Sequence, residues 1–379
     1  MKIIMVCYPT HGGSGVVATE LGKELAERGH VVHFVSYQLP LRLDRFQPNV
    51  FYHEVDMPAY PLFKYPPYTL ALVNQLVELL EREKPDIIHA HYAIPHSFCA
   101  HAAREIVGDH HVRVVTTLHG TDINLVGSDP SFKRITRYSI EKSDGVTAVS
   151  ANLALETGEI FAAGKEVRTI YNFINTQRFF RLPEARERIC RLQAGGKVLL
   201  HVSNFRPVKR VPDVVEVFAW VRREMEAKLL LVGDGPQRPE AQKVAERLQL
   251  GRDVLFLGLQ DNVLPLFSAA DLFLLPSEKE SFGLGALEAM ACRVPVIATN
   301  AGGLPEVVKH GETGFLTAVG DIKAMAGHAL ELLWDESRLS RMREAARRRA
   351  ESFFDSRLIV PQYEQLYNEV LGNSAAAHL

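Results

Sequence analysis

Glu280 and Glu288 stand eight positions apart with the turn Ser281-Phe282-Gly283-Leu284 between them. Gly283 permits a tight loop whose N–H groups can point at phosphate or sugar oxygens, with Glu280 on the loop and Glu288 inside the helix that follows. Carboxylates so placed have two separable jobs, although ordinary helix-face glutamates would be the commoner reading of this signal in isolation. The cationic run Arg206-Pro207-Val208-Lys209-Arg210 can neutralise a diphosphate, guanidinium forking onto oxygens and ammonium acting as a point charge. Taken alone it is equally a solvated basic turn. In His11-Gly12-Gly13-Ser14-Gly15 the glycines let backbone approach phosphate, and the helix expected to follow turns free N–H groups toward an anion. His119, followed by Gly120, is placed to hydrogen-bond a bound sugar, with a structural imidazole as the alternative. His89 and His91 alternate and so share one face of a strand, but no carboxylate completes a metal-ligand set beside them. No metal site is expected.

Such residues need scaffolding that delivers them to one end of a sheet. Short β-rich runs alternate with helical patterns at Ile3–Cys7, Val17–Glu27, Val31–Ser36, Leu70–Glu83, Ile87–Ala90, His96–Ile106 and Val112–Leu118. The alternation returns at Val198–Val202, Pro212–Glu224, Lys228–Val232, Gln237–Leu248, Val254–Leu257, Leu272–Leu275 and Val294–Ala298. This is the pattern of βαβ units and parallel sheets, and predicts an α/β chain of two doubly wound, Rossmann-like domains. The charged stretch Asn175–Gly196, with Pro183 and Gly195-Gly196, follows a strand expected at Val167–Ile170 and marks the boundary. The first domain is placed at 1–174 and the second at 175–351. Residues 352–379 carry helical spacing at Leu358, Ile359, Tyr363, Leu366 and Tyr367, and are expected to pack back on the first domain. Ligands of open α/β sheets bind beyond the carboxyl ends of the strands, where the candidate residues fall.

Bulk properties narrow the function. The chain has 379 residues, 47% hydrophobic and 23% charged, as expected of two globular cores. A formal net charge of −2 offers no general attraction for nucleic acid or anionic lipid. Apolar runs are far shorter than the roughly 20 residues of a membrane span. The apolar start ends at Cys7, before Pro9 and the glycine loop, and predicts a first strand in a cytoplasmic protein. Cys7, Cys99, Cys190 and Cys292 are scattered and predict buried thiols in a reducing compartment. Gly13, Gly15 and Ala18 meet a loose dinucleotide fingerprint, but Val31–Ser36 ends without the acidic residue that would hold an NAD ribose.

The Glu280/Glu288 spacing, the Ser281-Phe282-Gly283 loop, the glycine loop and Lys209 together resemble the retaining glycosyltransferases of family four, which have the GT-B fold. The resemblance covers almost the whole chain. Within that family, residues 12–22, 89–96 and 116–123, Phe63–Tyr68 and Tyr171–Ile174 resemble members that glycosylate L-malate in bacillithiol biosynthesis. The resemblance implies two domains facing a central cleft, transfer of N-acetylglucosamine from UDP-N-acetylglucosamine to the malate hydroxyl with retention, and no cofactor. By the same analogy Gly13 and Ser14 face the diphosphate, Arg206 and Lys209 balance its charge, and Ser281, Phe282, Gly283 and Leu284 surround the donor. Glu288 then holds the ribose, Glu280 the sugar hydroxyls, and His119 the sugar's 6-hydroxyl or the charge at the reacting centre. Lys64, Tyr92, Thr117 and Thr121, with Ser14, are the candidates for malate, and Arg104 is expected to be a solvated helix residue. The implied domain closure joins loops of both domains around one donor, and the resemblance leaves room for a homodimer.

Some positions depart from the family pattern. Asn204 stands where many relatives carry the first phosphate-binding arginine, leaving Arg206 to substitute. Arg293 occupies a turn where glycine is common, and Gly285 replaces a bulkier residue. Rival readings are a transferase with another acceptor (an inositol phosphate, a lipid or a polysaccharide), a non-catalytic nucleotide-sugar sensor, and a nicotinamide-dependent oxidoreductase, the last disfavoured by the missing acidic residue.

Overall fold

The computed structural model describes all residues except 11, 45, 58–63, 163, 190–195 and 373–379. His11, Phe63 and Cys190 therefore lie outside the described residues. The chain divides into two compact units, Met1–Asn172 with Arg357–Leu379, and Phe173–Ser356.

The first unit contains strands β1 (Lys2–Val6), β2 (Val31–Ser36), β3 (Val50–Glu54), β4 (Ile87–His91), β5 (Arg113–Leu118), β6 (Gly145–Ala148) and β7 (Arg168–Thr169). They form one parallel sheet in the order β3-β2-β1-β4-β5-β6-β7. The second unit contains β8 (Lys197–Val202), β9 (Ala227–Val232), β10 (Val254–Gly258), β11 (Leu272–Leu275), β12 (Val296–Thr299) and β13 (Gly314–Thr317). Its order is β10-β9-β8-β11-β12-β13, again all parallel. In each sheet the chain winds outward in one direction, returns, and winds outward in the other, which opens a crevice at the carboxyl ends of the two central strands. In the first unit those strands are β1 and β4, followed by the glycine loop and by Tyr92–Ser97. In the second they are β8 and β11, followed by Arg206–Arg210 and by Glu278–Gly283.

Strands covered on both faces should be largely apolar, and β8, β9 and β11 are, with Leu199, Leu200, Leu229, Leu231, Leu272 and Leu274 fully buried; the exceptions are Lys197 and Lys228 near the strand starts and buried His201. Their core is completed by Phe205 and by Val215 and Phe218 of the helix Val211–Glu224. In the first unit Ile4, Val6, Val35, Ile88 and Val114 pack under the helices Tyr68–Glu83 and Phe98–Val107. The opposite face of this sheet bears a polar patch. It carries Met5, His89, His91, Thr117 and Thr147, all buried, beneath Tyr363 and Tyr367 of the helix Ser356–Val370. Gly145 admits that helix, since a Cβ there would lie 3.1 Å from Leu366 Cδ1.

Cys7, Cys99 and Cys292 are buried and unbridged, and burial pushes each thiol up to about 12. Among the described residues no helix is long and apolar enough to cross a membrane.

Candidate active site

In the second unit the two switch-point loops are tied together. Glu278 N donates to Val208 O at 2.8 Å, and Lys209 Nζ meets Glu280 Oε2 at 2.5 Å. Ser277 Oγ donates to the same carboxylate oxygen at 3.3 Å. Lys209 and Glu280 keep only 18% and 15% of their side chains exposed, so the pair is partly shielded from water. Arg206 differs: it is exposed, and its guanidinium makes no hydrogen bond or ion pair among the described residues, leaving all its donors for a ligand.

Gly283 has φ +98°, a left-handed conformation that suits glycine, and begins the helix Leu284–Ala291 with no side-chain cap. The N–H groups at this helix start, including that of half-buried Leu284, are therefore available to an acceptor beside half-buried Ser281. Phe282 is buried, with its ring edge-on to Phe354 at 5.6 Å, so only its backbone can face a donor. Glu288 lies about one turn into the helix and is buried. The Gly285 departure has a packing reason, since a Cβ there would come 3.2 Å from Phe273 Cζ. Arg293 takes a left-handed turn at φ +60° itself, where glycine would be strain-free.

Gly302 and Gly303 support this loop and were not anticipated. A Cβ on Gly302 would lie 2.0 Å from Glu280 O, and one on Gly303 2.4 Å from Ser281 O. The signal available was the Gly-Gly pair in the loop after a strand.

In the first unit Gly13 is exposed, Ser14 is half-buried, and the helix Gly13–Glu27 again starts without a side-chain cap. The sterically demanded glycine is Gly15, where a Cβ would lie 2.6 Å from Tyr8 O. Tyr92, at φ +100°, donates its hydroxyl to Ser14 Oγ at 2.9 Å and sets its ring 5.3 Å from that of His119. Ser14, Tyr92 and His119 thus come together. Thr121 is half-buried just beyond them, opening the turn after Gly120. Lys64 is exposed with its ammonium over the Tyr65 ring at 5.4 Å, and among the described residues no contact joins it to this group.

Two expectations need correction. Thr117 does not face an acceptor: it is fully buried, its hydroxyl 2.7 Å from His89 Nε2 and 2.8 Å from Thr147 Oγ1, within the layer under the C-terminal helix. Arg104 is not solvated, because it pairs with Asp144 at 2.7 Å. The histidines are engaged by protein. His89 Nδ1 meets Tyr367 Oη at 2.7 Å, while His91 meets His119 and Met5. Among the described residues no group of three or more His, Cys, Asp or Glu is arranged to hold a metal ion.

Asp122 is the largest omission from the sequence reading. Its buried carboxylate accepts from His119 N at 3.1 Å, Gly120 N at 3.0 Å and Ala93 N at 2.9 Å, fastening the loop after β4 to the loop after β5. Burial raises its pKa to about 6, against the pull of these backbone donors. The visible signal was an aspartate three residues after a histidine in a glycine turn. Asp122→Asn turns one acceptor oxygen toward NH2 and sets it against a backbone N–H. We expect a loss of about 2 kcal/mol, melting lower by about 4–8 °C, and kcat down about tenfold through displacement of His119. Melting curves and initial rates check this, and a variant matching the parent in both would remove Asp122 from the site.

Comparison with known proteins follows these two halves. Residues 11–178 match the family described as Glycosyltransferase Family 4, and residues 185–349 match Glycosyl transferases group 1. The chain is 50% identical over 372 residues to N-acetyl-alpha-D-glucosaminyl L-malate synthase of Bacillus anthracis, covering 98% of this chain and 97% of that one. Among solved structures it is similar to sucrose-phosphate synthase from Thermosynechococcus elongatus (TM-score 0.83, 23% identity, 99% of this chain and 100% of that one). It is also similar to Anabaena Alr3699/HepE in complex with UDP-glucose (TM-score 0.82, 22% identity, 97% of this chain and 100% of that one). With two parallel Rossmann-like sheets, switch-point loops bearing the Lys209–Glu280 pair, and a half-identical relative matched along nearly its full length, the chain belongs to the family 4 glycosyltransferases of the GT-B fold.

Proposed function

We propose that the protein transfers N-acetylglucosamine from UDP-N-acetylglucosamine to the hydroxyl of L-malate, retaining the α configuration and releasing UDP, as the first step of bacillithiol biosynthesis. The observation that carries this is 50% identity to a glucosaminyl malate synthase across both units, with no large segment of either chain left over. We place the reaction in the cytoplasm, between two small anionic solutes, with a homodimer as the assembly to be tested by light scattering.

Breaking the sugar–phosphate bond builds negative charge on the departing diphosphate and positive charge on the anomeric carbon. In the second unit Arg206 and Lys209 supply fixed cations for the first charge, and the N–H groups at Gly283–Leu284 supply dipoles. Glu280 accepts from sugar hydroxyls while remaining bonded to Lys209, and Glu288 accepts from the ribose. In the first unit Gly13 and Ser14, at the start of their helix, are assigned to the diphosphate, and His119 to the sugar's 6-hydroxyl. Tyr92 and Thr121 offer hydroxyls to malate, with Lys64 as a cation for a carboxylate. With protein cations assigned to the leaving group, turnover is expected to need no divalent ion. The departing phosphate oxygen takes the proton of the malate hydroxyl as attack occurs on the face it leaves, so no protein nucleophile is required.

The test is UDP release from UDP-N-acetylglucosamine with and without L-malate, chelator present, with mass spectrometry of the product. Malate-dependent release with the glycoside mass is expected. Release only with a different acceptor would refute the malate assignment, and tight donor binding without any turnover would favour a sensor.

A further inference from the structure

His119 does not stand alone at the site. Its Nε2 lies 2.9 Å from Nδ1 of His91, and Nε2 of His91 lies 3.0 Å from Sδ of Met5. The two imidazoles are stacked, centroids 5.1 Å apart, and both residues are buried. These contacts form a directed chain because one end of it has no donor. A thioether sulfur accepts hydrogen bonds weakly and donates none. His91 Nε2 must therefore carry the proton in that contact, since two lone pairs would otherwise face each other without water. A neutral imidazole has one N–H, so Nδ1 of His91 is an acceptor and Nε2 of His119 must donate to it. The one N–H of His119 is then used, leaving its Nδ1 with a lone pair and no partner among the described residues.

We infer that Met5 and His91 are positioning residues that lock His119 in its Nε2–H form, so that its Nδ1 accepts, and never donates, a hydrogen bond at the substrate. This rests on the reading of His119 as a substrate-facing residue. Burial supports it by holding both rings neutral: the His119 pKa is lowered to about 3 and that of His91 well below its ordinary value. The His89 ring, 4.4 Å from that of His91, is neutral for the same reason and adds no competing charge. Asp122 faces the backbone of His119 through its N–H and leaves the ring's tautomer to His91. The consequence is selectivity for a hydroxyl that can give its proton to nitrogen. An ether, a fluorine or a carboxylate at that position offers nothing to a bare lone pair and pays desolvation.

Long-range proton–nitrogen NMR of the protein with 15N-labelled histidine rings, at neutral pH and without substrate, reads the tautomers directly. Both His91 and His119 are expected to be protonated at Nε2. A proton on Nδ1 of His119 overturns the inference. His91→Asn offers an acceptor oxygen near the position of Nδ1, whereas His91→Leu offers none. H91L is expected to lose about tenfold or more in kcat with donor KM within about twofold, and H91N to recover most of that loss. Equal loss in both variants overturns the inference. Should H91L fail to fold, Met5→Leu removes only the sulfur, and a single unchanged His91 tautomer in M5L would likewise overturn it. The expected tautomers with unimpaired turnover of a 6-fluoro donor would support the lock while refuting the contact of His119 with the 6-hydroxyl.

Discussion

Lys209→Met should lower kcat by about a thousandfold while leaving the second unit folded. The magnitude follows from removing one preorganised charge that acts on the departing diphosphate inside a partly water-excluded site, typically worth a hundred- to a thousandfold. The upper end is expected because Lys209 also fixes Glu280 through the 2.5 Å contact. Its loss leaves the carboxylate with only the longer Ser277 bond and free to turn from the sugar. Glu280→Gln should cost about a hundredfold, because the amide still fills the space but holds Lys209 without charge. If the two act as a unit the double variant should be little worse than K209M alone. Lys209→Arg should not rescue, since a planar fork does not occupy the space of a compact ammonium. Initial rates across the four proteins decide the matter, with melting temperatures to separate chemistry from folding. K209M activity within fivefold of the parent, or losses that simply multiply in the double variant, would sink the paired role.

Which parts of this arrangement were legible in the chain depends on how far apart the interacting residues lie. Strands such as Val31–Ser36 and Leu272–Leu275 were located to the residue, because continuous apolar runs bounded by turns need no partner to be read. The edge strand Val50–Glu54 was missed, being half-exposed and lacking a long apolar run, with Phe51 50% exposed. The strand Gly145–Ala148 was missed for a different reason: Gly145 and Thr147 read as loop residues until a helix from the far end of the chain is laid on them. The same limit applies at the site. Glu280, Gly283 and Lys209 sit in local motifs with recognisable chemistry. Thr117 looked like a strand-end hydroxyl, and only the pairing of β4, β5 and β6 reveals that it is spent on His89 and Thr147. Asp122 acts through backbone donors of another loop, and no residue type advertises such a partner.

The buried histidines of the first unit, some beneath the C-terminal helix and others elsewhere in that unit, make it acid-labile. Burial lowers the pKa of His33, His96 and His101 to about 4, and of His89 and His119 to about 3, and holds His91 well below its ordinary value. Each is neutral when folded, whereas the unfolded chain takes up protons around 6.5. A depressed histidine pKa contributes stability that is complete above 6.5 and is lost as pH falls toward the folded value, because the unfolded state then binds more protons. Each such group steepens the loss by about 1.4 kcal/mol per pH unit. Three of the six acting together would remove about 4 kcal/mol per unit, against a typical total stability of about 5–15 kcal/mol. Asp122 works the other way, since its raised pKa of about 6 favours the folded state on acidification toward 3.8, but it is one group against six. Urea melts between pH 7.5 and 4.5 should therefore show stability collapsing from just below pH 6.5, with unfolding complete before the surface carboxylates titrate. His89→Gln keeps a polar side chain facing Tyr367 while removing one titrating ring, and should reduce proton uptake on unfolding by about one. A stability profile flat from pH 6.5 to 5 would mean that these rings are hydrated and exchange protons in the native state, and the surroundings of His91 would then be too open to hold His119 in one tautomer.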